Sequence, residues 1–133
     1  MRIRYRFERG RVPRPIVEVD LFTDSGKIIE TEALVDSGAD TCLFDLSYAR
    51  ESETTIYPQL ARRVSGISGR MDVIPGVMSV RILGRRFLLR THFVEGLEQN
   101  LLGRDNFFRV FHVCFDEPNH ELELRYRRGQ KNR

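Results

Sequence analysis

The tripeptide Asp-Ser-Gly occurs twice in the chain, at residues 24–26 and 36–38. Turns also recruit these residue types, so the tripeptide alone does not predict a function. The first copy has polar neighbours and predicts a hairpin turn. The second follows the apolar residues 33–35 and precedes a largely apolar stretch, which predicts that Asp36 lies in a loop enclosed by the core. Burying a carboxylate is costly, so this position indicates a functional role.

Two carboxylates that share one proton can hydrolyse a peptide bond. The ionised carboxylate takes a proton from water, while the protonated one polarises the scissile carbonyl. Close like charges separate the two proton affinities, which supplies both protonation states at one pH. Asp24 cannot pair with Asp36, because a strand runs between them. A second copy of the chain, related by a two-fold axis, would supply the other Asp36.

Two separated segments resemble the signatures of retroviral-type aspartic proteases, the retropepsins. Residues 33–41, Ala-Leu-Val-Asp-Ser-Gly-Ala-Asp-Thr, resemble the active-site segment, and residues 100–105, Asn-Leu-Leu-Gly-Arg-Asp, resemble the second signature. Residues 65–69 are similar to the glycine-rich tip of the flap. Arg14-Pro15 stands where retropepsins often carry a similar pair. The resemblance covers residues 12–117 and is more specific than either motif alone, because both occur in the expected order.

The resemblance implies an aspartic endopeptidase that acts on extended polypeptide segments as a homodimer, without a metal or cofactor. It implies an all-β, single-domain closed β-barrel of the acid-protease type with one short C-terminal helix. Asp36 would be the catalytic carboxylate, and Arg14 could reach Asp40 of the partner subunit. Asp40 and Arg104 would form a partly buried ion pair. The residues implied to support the active-site loop are Ser37, Gly38, Ala39, Asp40 and Arg104. Those implied to bind substrate are Leu34, Gly38, Asp40, Gly66, Ile67 and Leu101.

Short alternating segments separated by turns predict a β-rich chain that delivers residues 33–35 into Asp36. The predicted strands span residues 16–21, 27–35, 77–83, 86–94, 111–115 and 121–125. A hairpin is expected around residues 66–69, and a short helix is expected to begin within 103–108. Residues 46–62 are ambiguous, with a possible helical turn at 46–50. One domain spans 1–133, with its core at about 12–117 and the basic N-terminal segment and C-terminal hairpin outside it.

Composition limits the classes of protein to which the chain can belong. Its 133 residues suffice for one domain with a modest core. No apolar run approaches the ~20 residues of a membrane span, and the N-terminus lacks a secretory signal. We therefore expect a cytoplasmic protein without membrane contacts. Cys42 and Cys114 are too few for a disulfide framework, and both are predicted to be small buried residues.

Two other functions stay open on the sequence. One is a non-catalytic dimeric module that keeps the fold and binds peptides without cleaving them. The other is a nucleic-acid-associated protein that uses its arginine-rich ends, although no recognised binding module accompanies the charge and we consider nucleic acid an unlikely partner. Nucleic-acid binding would depend strongly on salt, which separates it from the other two functions. The basic residues near the ends are Arg2, Arg4, Arg6, Arg9, Arg11, Arg14, Arg125, Arg127, Arg128, Lys131 and Arg133.

Overall fold

A computed structural model describes residues 1–52, 54–66 and 69–127, apart from the side chains of residues 65 and 66. The strands are β1 (Arg2–Arg4), β2 (Ile16–Phe22), β3 (Ile28–Val35), β4 (Cys42–Asp45), β5 (Thr54–Ile56), β6 (Arg62–Gly66), β7 (Gly69–Ile82), β8 (Arg85–Val94), β9 (Leu101–Leu102), β10 (Phe111–Asp116) and β11 (Glu121–Tyr126). The helices are α1 (Leu46–Glu51) and α2 (Phe107–Val110), with a 3₁₀ turn at Pro58–Leu60. In the described ranges, no helix is long and apolar enough to cross a membrane.

Strands β2 and β3 form the predicted hairpin that leads into Asp36. They pair in antiparallel register from Ile16 opposite Leu34 to Phe22 opposite Ile28. Their turn contains the first Asp-Ser-Gly copy, in which Gly26 has a φ of +81° that favours glycine. The turn also closes through a 3.0 Å hydrogen bond from the Gly26 amide to the Thr23 carbonyl. The prediction that this copy is a hairpin turn is confirmed.

The strands form two sheets, and the larger one carries both signature segments. Its pairing order is β2-β3-β9-β4-β8-β7-β5, with β6 paired to β7 and a short additional pairing between β2 and β7. Strand β9 lies parallel to β3 and pairs with β4 at one residue, Leu101 opposite Leu43. The mostly-β architecture with a small helical part is confirmed. A closed barrel and a homodimer stay predictions.

The second sheet joins the N-terminal strand β1 to the β10–β11 hairpin, in the order β1-β11-β10. Tyr5, Leu122 and Leu124 are at most 3% exposed and belong to the same buried cluster as Phe44 and Phe107. The hydrophobic core therefore extends beyond residues 12–117. Sequence reasoning missed β1 because its three residues include two arginines, and the pairing partner lies about 120 residues away.

Several of the N-terminal arginines form ion pairs within the chain, which weakens the nucleic-acid hypothesis because paired cations attract phosphate less strongly. The Arg2 guanidinium lies 3.2 Å from Glu121 and 3.6 Å from Glu123 on the adjacent strand. Arg6 pairs with Glu32, and Arg14 lies 3.2 Å from Glu8.

The core position of β11 leads to a stability prediction for Leu122→Ala. Leu122 has 0% exposure, and its truncation leaves a cavity in the core. We expect the variant to lose about 2–5 kcal/mol of unfolding free energy in urea denaturation. The matched control is Leu88→Ala, because Leu88 is 55% exposed and should change stability by under about 1 kcal/mol. Equal losses in the two variants would contradict a core that includes the C-terminal hairpin.

The possible helical turn at residues 46–50 is confirmed as α1, which Asp45 caps by accepting a 3.2 Å hydrogen bond from the Ser47 amide. One local prediction is wrong. Cys42 is buried as predicted, but Cys114 is exposed. An apolar neighbourhood in sequence did not predict burial for Cys114, because successive residues of a strand face opposite sides of the sheet.

Candidate active site

Hydrogen bonds hold the Asp36 loop against the segment after β9. The loop runs from the end of β3 to the start of β4. The Asp36 amide donates to the Leu102 carbonyl at 3.0 Å, the Arg104 amide donates to Ala39 at 2.8 Å, and the Asp105 amide donates to Asp40 at 2.9 Å. Two segments about sixty-five residues apart in sequence are therefore joined by three backbone hydrogen bonds. The two signature segments are held together by these hydrogen bonds between their backbones.

Gly103 allows the two segments to lie this close together. A Cβ atom on Gly103 would lie 2.2 Å from the Thr41 carbonyl oxygen and 2.8 Å from the Ala39 carbonyl oxygen. The Gly103 amide lies 3.3 Å from the Cys42 sulfur and donates to it. Burial raises the pKa of the Cys42 thiol, so Cys42 stays protonated and contributes packing beneath the loop. Sequence reasoning had assigned no role to Gly103.

Asp36 lies at the surface of this chain. Its side chain is half-buried, and Ser37 and Gly38 are exposed, so the prediction of a loop enclosed by the core is wrong for a single copy. The Oδ1 atom of Asp36 accepts a 2.9 Å hydrogen bond from the Gly38 amide, which fixes the orientation of the carboxylate. Asp24 lies at the far end of β3. That strand has eight residues, which at ~3.3 Å each separate the two aspartates by roughly 26 Å.

The Asp40–Arg104 pair exists, but it is exposed. The Arg104 Nη1 and Asp40 Oδ1 atoms are 3.9 Å apart, and the side chains are 68% and 91% exposed. The predicted partial burial is therefore wrong, because both side chains extend from the loop into solvent. A pair in this environment contributes at most about 1 kcal/mol, rather than several. The backbone hydrogen bonds beneath it hold the loop.

The predicted substrate-binding residues are only partly described. Leu34 and Leu101 are half-buried and lie opposite each other in the parallel β3–β9 pair. Gly66 and Gly69 pair at the end of the β6–β7 hairpin, where a hairpin was predicted. Ile67 lies outside the described residues. Arg14 hydrogen-bonds through Nη2 to both carboxylate oxygens of Glu8, at 3.2 and 3.3 Å.

A cavity of about 430 Å³ opens beside the carboxylate of Asp36. Sequence reasoning missed Tyr5, Phe115 and Glu117 as residues of this site, because they lie outside the quoted motifs and β1 had not been predicted. Tyr5 is 3% exposed, and its hydroxyl has no hydrogen-bond partner among the described residues. Burial, followed by the charge of Glu117, raises the pKa of Tyr5 to about 12. The cavity is lined by Tyr5, Arg14, Pro15, Leu34, Val35, Asp36, Ser37, Phe115 and Glu117.

His92 on β8 predicts a pH-dependent loss of stability. Burial, followed by the positive charge of Arg62, lowers the pKa of His92, while Asp105 opposes the shift. The unfolded chain, in which a histidine has a pKa of about 6.5, then binds a proton that the folded chain resists. Stability should fall as the pH drops below about 6.5. We expect the urea midpoint of His92→Gln to change less between about pH 7 and pH 5 than the midpoint of wild type does. Identical slopes for His92→Gln and wild type would rule out this contribution of His92.

Within the described part of the chain, no group of three or more His, Cys, Asp or Glu residues could hold a metal ion. The site offers instead a fixed carboxylate beside an open cavity.

Three solved structures similar to this chain are aspartic proteases or a domain of that kind. The EIAV protease, solved with the inhibitor HBY-793, is 22% identical with a TM-score of 0.53, covering 75% of this chain and 88% of that one. A retropepsin-like aspartic protease from Rickettsia conorii is 18% identical with a TM-score of 0.57, covering 95% and 91%. The retroviral protease-like domain of Ddi1 from Leishmania major is 18% identical with a TM-score of 0.57, covering 86% and 90%.

No protein-family model matches the sequence, and no curated protein matches it either. The chain has a retropepsin-like fold. The fold resemblance on which the sequence interpretation rested is confirmed.

Proposed function

We propose that this chain is an aspartic endopeptidase that hydrolyses peptide bonds with two Asp36 carboxylates, one from each subunit of a homodimer. The observation that carries the proposal is the oriented Asp36 carboxylate at the mouth of an open cavity, on a loop held by residues 102–105. The retropepsin-like fold of similar proteases supports the same reaction class.

In this reaction the ionised Asp36 accepts a proton from a water molecule as the water attacks the scissile carbonyl carbon. The protonated Asp36 of the partner subunit donates a hydrogen bond to the carbonyl oxygen, which stabilises the developing negative charge. As the tetrahedral intermediate collapses, the Asp36 that accepted the proton from water donates it to the leaving nitrogen, which restores the ionised carboxylate. The Gly38 amide holds one carboxylate oxygen in place throughout.

The substrate would lie extended beside the loop, with apolar side chains against Leu34 and Leu101, which are half-buried and leave apolar surface accessible. An extended peptide can pair with the backbone of a strand edge, as in other strand-addition complexes. Gly38, Asp40, Gly66 and Ile67 complete the proposed substrate-binding set, and Ser37, Ala39 and Arg104 support the loop.

Digestion of a denatured proteome or peptide library across about pH 4–7 tests the proposal. Wild type should cleave, Asp36→Asn should not, and Asp24→Asn should cleave as wild type does. Asp24→Asn is the matched control, because it changes the same tripeptide in an exposed turn. Cleavage that survives in Asp36→Asn would contradict the assignment. Dimeric wild type that binds peptides without cleaving them would favour the non-catalytic module.

A further inference from the structure

Two strand edges that lack partners in the described chain face one cleft. In the described ranges, β1 pairs only with β11, and β2 pairs with β7 only at Asp20 and Leu21. The second edge of β2 therefore has no strand partner in the described chain from residue 16 to residue 19. A cavity of about 440 Å³ lies between the two edges and is lined by β1, β2 and the turn between β7 and β8. Its volume is typical of a ligand site.

The cleft exists because β1 and β2 diverge from a single pairing. Arg6 and Arg14 form an isolated antiparallel bridge, in which the Arg6 amide donates to the Arg14 carbonyl at 2.8 Å and the Arg14 amide donates back at 3.1 Å. The same register would place Arg4 opposite Ile16, a pair that does not form in the described chain. Paired strands lie ~4.8 Å apart, so the cavity shows that these two strands have separated beyond pairing distance.

The free edge of β1 presents backbone groups to this cleft. The Met1 and Tyr5 amides donate to the backbone carbonyls of residues 124 and 120, at 2.7 and 2.8 Å. Odd-numbered residues of this segment therefore point toward β11. Because directions alternate along an antiparallel strand, the N–H and C=O groups of Arg2 and Arg4 point toward the cleft.

The unpaired part of β2 forms the opposite wall. The Leu34 and Asp36 amides donate to the segment around β9, so the alternate residue Ala33 points toward β2. Val17 lies opposite Ala33 and points toward β3, which leaves the backbone groups of Glu18 pointing toward the cleft. Both walls therefore carry backbone donors and acceptors that an added strand could pair with.

The side chains of the cleft suit a peptide in which apolar and acidic residues alternate. Ile16 is 4% exposed and forms an apolar floor with the half-buried Ile3 and Leu83. The charged lining residues are three arginines and two carboxylates, which leaves one positive charge. Arg4 is exposed and forms no ion pair among the described residues. A carboxylate on a bound peptide can therefore pair with Arg4.

We propose that this cleft is a second peptide-binding site, in which an extended acidic segment of another polypeptide inserts as a strand between β1 and β2. The walls run antiparallel, so the inserted strand is parallel to one and antiparallel to the other. The four unpaired residues of β2 span about 13 Å, which suits four or five peptide residues. Main-chain hydrogen bonds would supply affinity and alternate side chains specificity. The cleft shares no lining residue with the cavity beside Asp36, so the inference does not depend on the proposed function.

Binding is tested by fluorescence anisotropy of the full chain with a labelled peptide of about five residues, in which glutamate and valine alternate. Wild type and Asp36→Asn should bind this peptide equally. Replacing its glutamates with lysines, or Arg4 with alanine, should weaken binding about three-fold or more, because a charge pair is lost.

Arg4→Pro tests the backbone of the cleft, because it also removes an N–H that points away from β11. The β1–β11 hydrogen bonds stay intact, and circular dichroism checks the fold. Peptide binding should weaken about ten-fold or more relative to wild type. Ile56→Pro is the matched control, since it places proline on the edge strand β5 outside the cleft, and it should bind as wild type does.

Amide hydrogen exchange, measured by NMR, locates the bound peptide. Exchange at the Arg4 and Glu18 amides should slow about ten-fold or more when the peptide is added, because both amides gain an acceptor. The Ile3 and Val17 amides should not change, because they already face β11 and β3.

Protection of Arg4 and Glu18 together with weaker binding by Arg4→Pro supports the inference. No binding at about 1 mM peptide, tighter binding of the lysine peptide, or protection confined to the Asp36 loop overturns it. Protection that rises with protein concentration without peptide would assign the cleft to a second copy, and exchange accelerated by deleting residues 128–133 would assign it to the chain's own end; either result overturns the inference. If wild type binds the peptide in the cleft but cleaves no polypeptide, the cleft stands and the proposed peptidase function fails.

Discussion

Mixing equal amounts of wild-type and Asp36→Asn chains is expected to leave about one quarter of the wild-type peptidase activity. The reason is that only about a quarter of randomly paired dimers contain two intact copies of Asp36. Pure Asp36→Asn should lose activity by roughly 10²–10⁴-fold or more, the usual contribution of general acid–base catalysis. The chains are co-refolded from urea so that subunits exchange completely, and initial rates are measured at a constant total concentration.

The mixture also identifies the source of the second carboxylate. If one chain supplied both, for example with Glu117 from the same cavity, the rate would fall only to about one half. A mixture with Asp24→Asn is the control for refolding losses and should keep full activity, because Asp24 lies in an exposed turn. A rate near one half would overturn the shared dyad while leaving Asp36 catalytic.

Among glycine-to-alanine substitutions, Gly103→Ala is expected to disturb the candidate site most, lowering both stability and peptide cleavage. The new Cβ would lie 2.2 Å from the Thr41 carbonyl oxygen, and the atoms it meets are backbone that cannot rotate away. Either the Asp36 loop or the segment after β9 must move, which breaks the hydrogen bonds that join them. We expect a loss of roughly 3 kcal/mol or more in urea denaturation, together with loss of peptide cleavage.

Gly96→Ala is the matched control for this substitution. Gly96 has a φ of +75° with nothing within 4 Å of the added methyl, so the variant carries only the backbone strain of about 1–2 kcal/mol. It should retain cleavage. If Gly103→Ala is as stable as Gly96→Ala and as active as wild type, close packing of the two segments does not hold the loop.

The sequence predicted the strands and turns whose signals lie within a few neighbouring residues. The β2–β3 hairpin agreed within one or two residues, because alternation and a glycine turn are both local signals. The link between residues 36–41 and 100–105 was expected only through the family resemblance. The hydrogen bonds that make it, from Asp36 to Leu102 and from Arg104 to Ala39, could not be derived from either segment alone.

The misses share one physical cause, which is that burial depends on residues distant in the chain. The Asp40–Arg104 pair was predicted to be partly buried, yet both side chains extend into solvent. Strand β1 was overlooked because its partner β11 lies near the other end of the chain. Cys114 was predicted to be buried because its neighbours are apolar, but it faces solvent on β10.

The two Asp-Ser-Gly copies show most clearly what the sequence determined and what the tertiary structure decided. The sequence by itself determined which copy is a turn and which follows a buried strand, because hydrophobic alternation and turn chemistry are local. Only the tertiary structure decided that Asp36 lies at the surface beside a cavity lined by Tyr5 and Phe115 from the two ends of the chain. It also showed that β10, which pairs only with β11 among the described residues, lies next to that cavity. Both facts depend on how distant strands pack, which no local pattern encodes.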